Sequence, residues 1–336
     1  MSFIKNLSTL HTLPLVVIYV ILFCFTIWIN KFILSGLSFT YPLVFQGWQT
    51  LVGAIGFTIM NKYNLINIKF SNLGWSSIKY IGPYMVCFTF GLYTGSKALT
   101  GMHIPIFLSL HNIVFLFQHV ADLWARRLEC EKSSNVISII IPLTIIALST
   151  TMVLSTSLKE FRGALFWMIL HLISSGVLVF LDQLDKSYSE ENALPKLYCC
   201  FIFSVIVLGS TSFFLGEAFK VYNFPLLKIA KFYISFIFSG ILTCLLGLCF
   251  LKLNDHQLHW LNLMGVAKIT AASLSLLLFE FEIQNTMCKL WISLSLLTGV
   301  FTPLPNKVLM ELRTESSEQL NPMLQEDDNI TDNEEV

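Results

Sequence analysis

Charge is scarce in this 336-residue chain. Lys, Arg, Asp and Glu together make up 12% of it, about half of what a soluble domain carries. The two signs cancel, 21 against 21, so no basic excess marks a nucleic-acid partner. The eight cysteines have neither metal-ligand spacing nor the pattern of a secreted disulfide framework. Most of them fall inside apolar runs, where a thiol packs as a small hydrophobe. No Walker A loop, HExxH, GxSxG or pair of carboxylates within an apolar run occurs. His256 and His259 flank a loop with no further ligands beside them. An enzyme, a metal centre and a cofactor are therefore not expected.

What the chain has in abundance is hydrophobic length. Of its residues 55% are hydrophobic, and the mean hydropathy is +0.70. A bilayer-spanning helix needs about 20 apolar residues, and spans are predicted near 13–33, 40–60, 78–99, 103–122, 135–155, 163–181, 197–215, 232–251, 258–279 and 284–303. The first run is longer than the apolar part of a signal peptide and no small-x-small cleavage site follows it, so it reads as a retained span. The expected fold is thus an all-α membrane protein of about ten transmembrane helices, arranged as two inverted five-helix repeats over about 13–160 and 161–305. An N-terminal segment 1–12 precedes the membrane domain 13–305.

With an even number of spans both termini share a side. That side collects 12 of the Lys and Arg residues near span ends and the other side 8, a modest bias that places both termini in the cytosol. From Asn306 to Val336 there are nine acidic residues and two basic ones, which predicts a solvated, disordered cytosolic tail. Sequons at Asn6 and Asn329 would then lie in the cytosol and stay unmodified.

Polar residues inside the spans carry the functional signal. Lys268 sits at the midpoint of the ninth span, roughly 15 Å from either end at 1.5 Å per residue. A lysine side chain reaches about 6 Å, so it cannot snorkel to water from there. A charge left in lipid costs about 3 kcal/mol or more. A watery cavity or a bound anion within the bundle removes that cost; so would backbone carbonyls or a carboxylate from another helix. His111, next to Asn112, lies mid-way along the fourth span, although a neutral histidine is cheap enough to be a packing residue. The stretches Leu92–Phe117 and Leu248–Leu278 resemble each other as a polar hinge followed by a mixed span. Inverted repeats place substrate sites near the midplane where the halves meet.

Asn30 and Lys31 close the first span. Gln46 and Gln49, three apart in the second, face one side of a helix and are expected to line one cavity wall. Trp48 and Tyr198 fit an interfacial aromatic belt, and Ser239-Gly240 fits close helix packing.

Several of these motifs resemble the nucleotide-sugar transporters of the drug/metabolite transporter superfamily. The resemblance rests on Phe39-Thr40-Tyr41-Pro42 with Phe45-Gln46-Gly47-Trp48-Gln49-Thr50, on Asn30-Lys31, on Gly95-Ser96-Lys97-Ala98-Leu99, and on Ile104-Pro105-Ile106-Phe107 with His111-Asn112. Phe203-Ser204-Val205, Asn223-Phe224-Pro225 and Ala267-Lys268-Ile269-Thr270-Ala271 continue it over about 20–300. The likeness is strongest to the UDP-N-acetylglucosamine carriers of that family, and it implies ten helices with alternating access. In the related GDP-mannose transporters a Phe-Tyr-Asn-Asn motif contacts the nucleotide. Here those positions read Leu197, Tyr198, Cys199 and Cys200, and the loss of both asparagines argues against a GDP-sugar. Their Gly-Ala-Leu-Asn-Lys motif aligns with Met264, Gly265, Val266, Ala267 and Lys268. The lysine is kept, and Gly265 is one position removed from the family glycine. Family members often carry a lysine where His111 stands.

The resemblance implies an antiporter that brings a UDP-sugar, UDP-N-acetylglucosamine first, into the Golgi lumen, or alternatively that of the endoplasmic reticulum, against UMP. Lys268 would pair the phosphates, His111 and Asn112 would face it from the other repeat, Tyr198 would meet the base, and Ser239 would hydrogen-bond nearby. Gly265, Gln46, Asn30 and Lys31 complete the expected set. The expected partners are these substrates and the lipid bilayer, with a homodimer left open and no nucleic acid. The rivals are a carrier of the same fold for another organic or phosphorylated anion or a GDP-sugar, and a non-transporting membrane assembly factor.

Overall fold

The computed structural model describes residues 2–68, 75–129, 136–157, 161–184, 190–255, 260–279 and 286–301. The tail 306–336, Cys130, and His256 and His259 lie outside them. No strand occurs among the described residues. The elements are α1 (Ser2–Lys31), a π-helical turn (Phe32–Gly36), α2 (Pro42–Lys62), α3 (Trp75–Gly101), α4 (Ile104–His111), α5 (Ile113–Glu129), α6 (Val136–Ser157) and α7 (Arg162–Leu184). They continue with α8 (Glu190–Phe214), α9 (Glu217–Val221), a 3₁₀ turn (Pro225–Lys228), α10 (Ala230–Asp255), α11 (Trp260–Leu278) and α12 (Thr286–Val300).

Among the described residues six helical segments are long and apolar enough to cross a membrane: Pro14–Gly36, Pro42–Lys62, Ile104–Ala121, Arg162–Leu184, Ala193–Phe214 and Ala230–Leu253. Shorter apolar helices cover Ile140–Ser155, Leu263–Leu278 and Thr286–Val300. The outward faces are as apolar as the core. Ile55, Ile59, Phe166, Ile173, Ile206, Ile234 and Ile237 are all about half exposed or more, a surface that water would not tolerate and that lipid solvates. The chain is a multi-pass helical membrane protein.

Helix starts and stops follow local chemistry. Pro42 opens α2 at its first turn, where a missing N–H costs nothing. The Leu43 N–H there donates to Glu217 Oε2 at 3.0 Å, so a carboxylate sits on the positive end of α2. At the other end of the loop Lys31 Nζ donates to the carbonyls of Leu99 (2.8 Å), Thr100 (3.3 Å) and Met102 (2.7 Å). These are orphan acceptors at the C-terminus of α3, and the cation suits that negative end.

Packing places one segment at the centre. Ile104–Ala121 is 67% buried, against 28–39% for the other five candidate spans. Around it α3 packs on α7, α2 on α8, α6 on α12, and α1 on both α10 and α11. α5 also touches α7, α10 touches α2, α3 touches α8, and α4 and α11 are in contact. The α3–α7 approach is close because Gly91 and Gly95, four apart, present no side chain. A Cβ at Gly91 would fall 2.9 Å from the Ser174 hydroxyl, and one at Gly95 would fall 3.0 Å from the His171 ring.

Candidate functional site

The central segment is interrupted at Asn112. The Asn112 N–H donates back to Ser109 (3.2 Å) and the Phe115 N–H to Asn112 (3.0 Å), both three residues away and not four. This tightened turn takes Phe115 N–H from its α-helical acceptor, the His111 carbonyl. A carbonyl so released in a buried place needs another donor, and Lys268 on α11 supplies it.

Lys268 is 1% exposed. Its Nζ lies 3.1 Å from Asn112 Oδ1 and 3.5 Å from the His111 carbonyl oxygen, and 4.3 Å from the centroid of the Phe115 ring. Two oxygens and one aromatic face thus surround the ammonium, and every one of them is neutral. No carboxylate forms an ion pair with it among the described residues; the pair recorded there joins Lys196 to Asp182. A protonated Lys268 would be an uncompensated charge in a low-dielectric interior, the kind of group that an anion can neutralise.

Asn112 is itself anchored. It is fully buried, and its Nδ2 donates to the Ser295 carbonyl on α12 at 2.8 Å. Ser295 Oγ donates in turn to the Ser109 carbonyl at 2.9 Å. That orients the amide so that Oδ1 faces the lysine. Gly299 and Gly265 allow this approach. A Cβ at Gly299 would meet Asn112 Nδ2 at 2.8 Å, and one at Gly265 would run into the Gly299 backbone. Gly265, a candidate from the motif comparison, is thus placed as a packing glycine between α11 and α12.

His111 and His171 flank the charge. Their ring centroids are 5.4 Å apart, and Phe107 stacks near both, at 6.3 Å from His111 and 5.7 Å from His171. His171 Nδ1 is 2.9 Å from the Gly91 carbonyl oxygen, whereas His111 Nδ1 is sealed from solvent with no partner among the described residues. Lys268, His111 and Asn112 come together as a unit from α11 and the α4–α5 break.

The other candidates are placed elsewhere. Gln46 donates to the Ser96 hydroxyl and Gln49 to Asn30 Oδ1 (2.7 Å), so the two amides bind α2 to α3 and α1, where a shared cavity wall was expected. Lys31 is committed to the end of α3. Beside it Ser35, His103, Ser275 and Phe279 line a cavity of about 250 Å³. Ser239 is fully buried and bonds the Phe236 carbonyl within its own helix at 2.7 Å. Trp48, expected in an interfacial belt, stacks on Phe236 and donates to its carbonyl at 2.8 Å. Gly240 makes room for it, as the packing motif anticipated. Tyr198 joins Phe57, Phe201 and Cys244 in an apolar cluster, with its hydroxyl 3.0 Å from that of Thr58.

His171 and Ser295 were not singled out by the sequence. Each lies in an apolar run with small hydroxyl residues close by, Ser174 and Ser175 beside His171, and Ser293 and Thr298 beside Ser295, and each finds its partners far away in the chain.

The chain is 31% identical over 265 residues to the UDP-N-acetylglucosamine transporter TMEM241 homolog of Xenopus laevis, covering 78% of this chain and 87% of that protein. It is 28% identical over 263 residues to the UDP-N-acetylglucosamine transporter TMEM241 of Mus musculus, covering 76% and 84%. No family model matches it.

Proposed function

The chain belongs to the TMEM241 family of membrane transporters, and on that premise we propose that it is a nucleotide-sugar antiporter that moves a UDP-sugar, UDP-N-acetylglucosamine first, into the lumen of the Golgi or endoplasmic reticulum against UMP. Its relatives are named as transporters and not as enzymes. The observation that carries the proposal is Lys268, a buried lysine whose hydrogen-bond partners among the described residues are neutral, standing where α11 meets the α4–α5 break. A diphosphate is the anion that such a site lacks.

Ten spans in two inverted five-helix repeats fit this role. Take the first repeat as α1, α2, α3, α4–α5 and α6, and the second as α7, α8, α10, α11 and α12. Exchanging the two repeats then turns the α3–α7 contact into α10–α1, α5–α7 into α11–α1, and α3–α8 into α10–α2; the α2–α8, α6–α12 and α4–α11 contacts map onto themselves. That symmetry of packing supports a two-fold relation with the Lys268 cluster on its axis. An odd number of spans per repeat inverts the second repeat, an arrangement common among alternating-access transporters. Both termini then share a side, which the Lys and Arg bias makes the cytosol.

Exchange follows from electrostatics. When substrate leaves, Asn112 and the His111 carbonyl hold the ammonium with dipoles alone, and moving an uncompensated charge through the occluded state is costly. Loading with either nucleotide removes that cost. The test is UDP-sugar uptake by proteoliposomes loaded with UMP. The Lys268→Ala protein, shown to be folded, loses exchange; unchanged uptake refutes the role of Lys268.

A further inference from the structure

His171 stands mid-way along α7 beside the charged cluster. A carbonyl oxygen only accepts, so the 2.9 Å contact with Gly91 places the proton on His171 Nδ1. In the neutral ring Nε2 is then an acceptor. The ring is held in place on several sides. It stacks on Phe107 at an interplanar angle of 25°, and Gly95 leaves room where a Cβ would come within 3.0 Å.

His111 adds a second nitrogen, its sealed and unpartnered Nδ1. A buried polar atom left without a partner carries a desolvation cost that a bonding ligand removes. The cluster thus offers one cation, an imidazole acceptor of fixed tautomer and a second imidazole nitrogen beside it. That set is complementary to an anion bearing hydroxyl groups close by, as a phosphorylated sugar ring does.

We propose that His171 Nε2 is a substrate contact. Together with His111 it takes the hydroxyl groups of the sugar ring attached to the phosphate at Lys268. The inference rests on the nucleotide-sugar reading and adds a residue from α7 to that site. Two rings of the substrate could provide the hydroxyls, the ribose and the transported pyranose, and UMP contains only the first.

The test is binding to the purified full-length protein, followed by ligand-induced thermal stabilisation with UMP, 2′-deoxy-UMP, 3′-deoxy-UMP and UDP-N-acetylglucosamine. If the ribose is the contact, the wild-type protein loses about tenfold in affinity for at least one deoxy analogue. His171→Phe keeps a ring against Phe107 but lacks Nε2; it weakens UMP to a similar extent and no longer distinguishes the deoxy analogues. His171→Gln, whose amide oxygen can accept, recovers part of the loss. If the pyranose is the contact, His171→Phe weakens UDP-N-acetylglucosamine about tenfold and leaves UMP unchanged. The proposal is overturned if folded His171→Phe binds both ligands as the wild type does. Should the wild-type protein bind neither UMP nor UDP-N-acetylglucosamine, the nucleotide-sugar reading itself fails and this contact with it. The deoxy comparison on the wild-type protein needs no variant to fold.

Discussion

Asn112→Asp provides a sharp test of the charge logic. The side chains have nearly the same shape, but the aspartate places a carboxylate where the amide oxygen now lies, 3.1 Å from Lys268 Nζ. At an effective dielectric of about 20 two unit charges at that separation attract by about 5 kcal/mol. Part of this is offset, because the carboxylate must be desolvated and the Ser295 carbonyl loses the donor it has at 2.8 Å, the latter at about 1–3 kcal/mol. The remainder acts against substrate, since a diphosphate must now displace an internal counter-ion. We expect UMP to bind at least about a hundredfold more weakly, or about 2.7 kcal/mol, as measured by titration of the purified protein. Asn112→Ala is the control. It loses the same Ser295 bond but leaves the ammonium unneutralised, so its affinity falls far less than that of Asn112→Asp. Wild-type UMP affinity in a folded Asn112→Asp protein would refute the assignment of Lys268 as the counter-charge.

Three further outcomes follow from the packing and the loops. Gly299→Ala pushes a methyl group into Asn112 Nδ2; overpacking of this kind costs about 1–3 kcal/mol, and the melting temperature and UMP affinity should fall together. Lys31→Met strands three carbonyls at the end of α3 and should lower the melting temperature, while folded protein retains its UMP affinity; a selective loss of UMP binding would instead place Lys31 in the site. Burial raises the Glu217 carboxyl above its ordinary value of 4.5. The folded state thus takes up this proton more readily than the unfolded chain, and the associated stability is lost as the pH rises from 4.5 through the raised value. Relative to Glu217→Gln, the wild-type melting temperature should decline over that interval, and parallel curves would contradict the assignment.

The membrane class and the positions of the helices were legible because long apolar runs have few alternatives. Lys268 stood out for the same reason, as a charge that its span could not carry to water. The likeness of the two stretches and the family resemblance also set His111 opposite Lys268, and the structure brings the His111 carbonyl and the Asn112 amide to the lysine. Neither foresaw that the contact comes from a broken helix. Ser109, His111, Asn112, Ile113, Val114 and Phe115 are middling helix formers that do not by themselves fix a break, and the partner that holds the Asn112 side chain, Ser295, is 183 residues away. Lys31 was visible as an intramembrane cation, but its three acceptors lie 68–71 residues further on. A candidate ligand contact and a helix cap look alike in one dimension. His171, mid-way along the expected span 163–181, had the same kind of signal as His111 and was passed over; the Gly91 carbonyl that fixes its tautomer is 80 residues distant.

The central claim is exchange of a uridine nucleotide sugar for UMP at a site centred on Lys268. The most direct measurement is counterflow into proteoliposomes carrying the full-length protein, with labelled UDP-N-acetylglucosamine outside and UMP, GMP, CMP or inorganic phosphate inside. Uptake driven by internal UMP, weak with GMP and CMP, and absent with phosphate alone or in the Lys268→Ala protein is the predicted result. Uptake that is indifferent to the internal nucleotide, or that persists without Lys268, would contradict it.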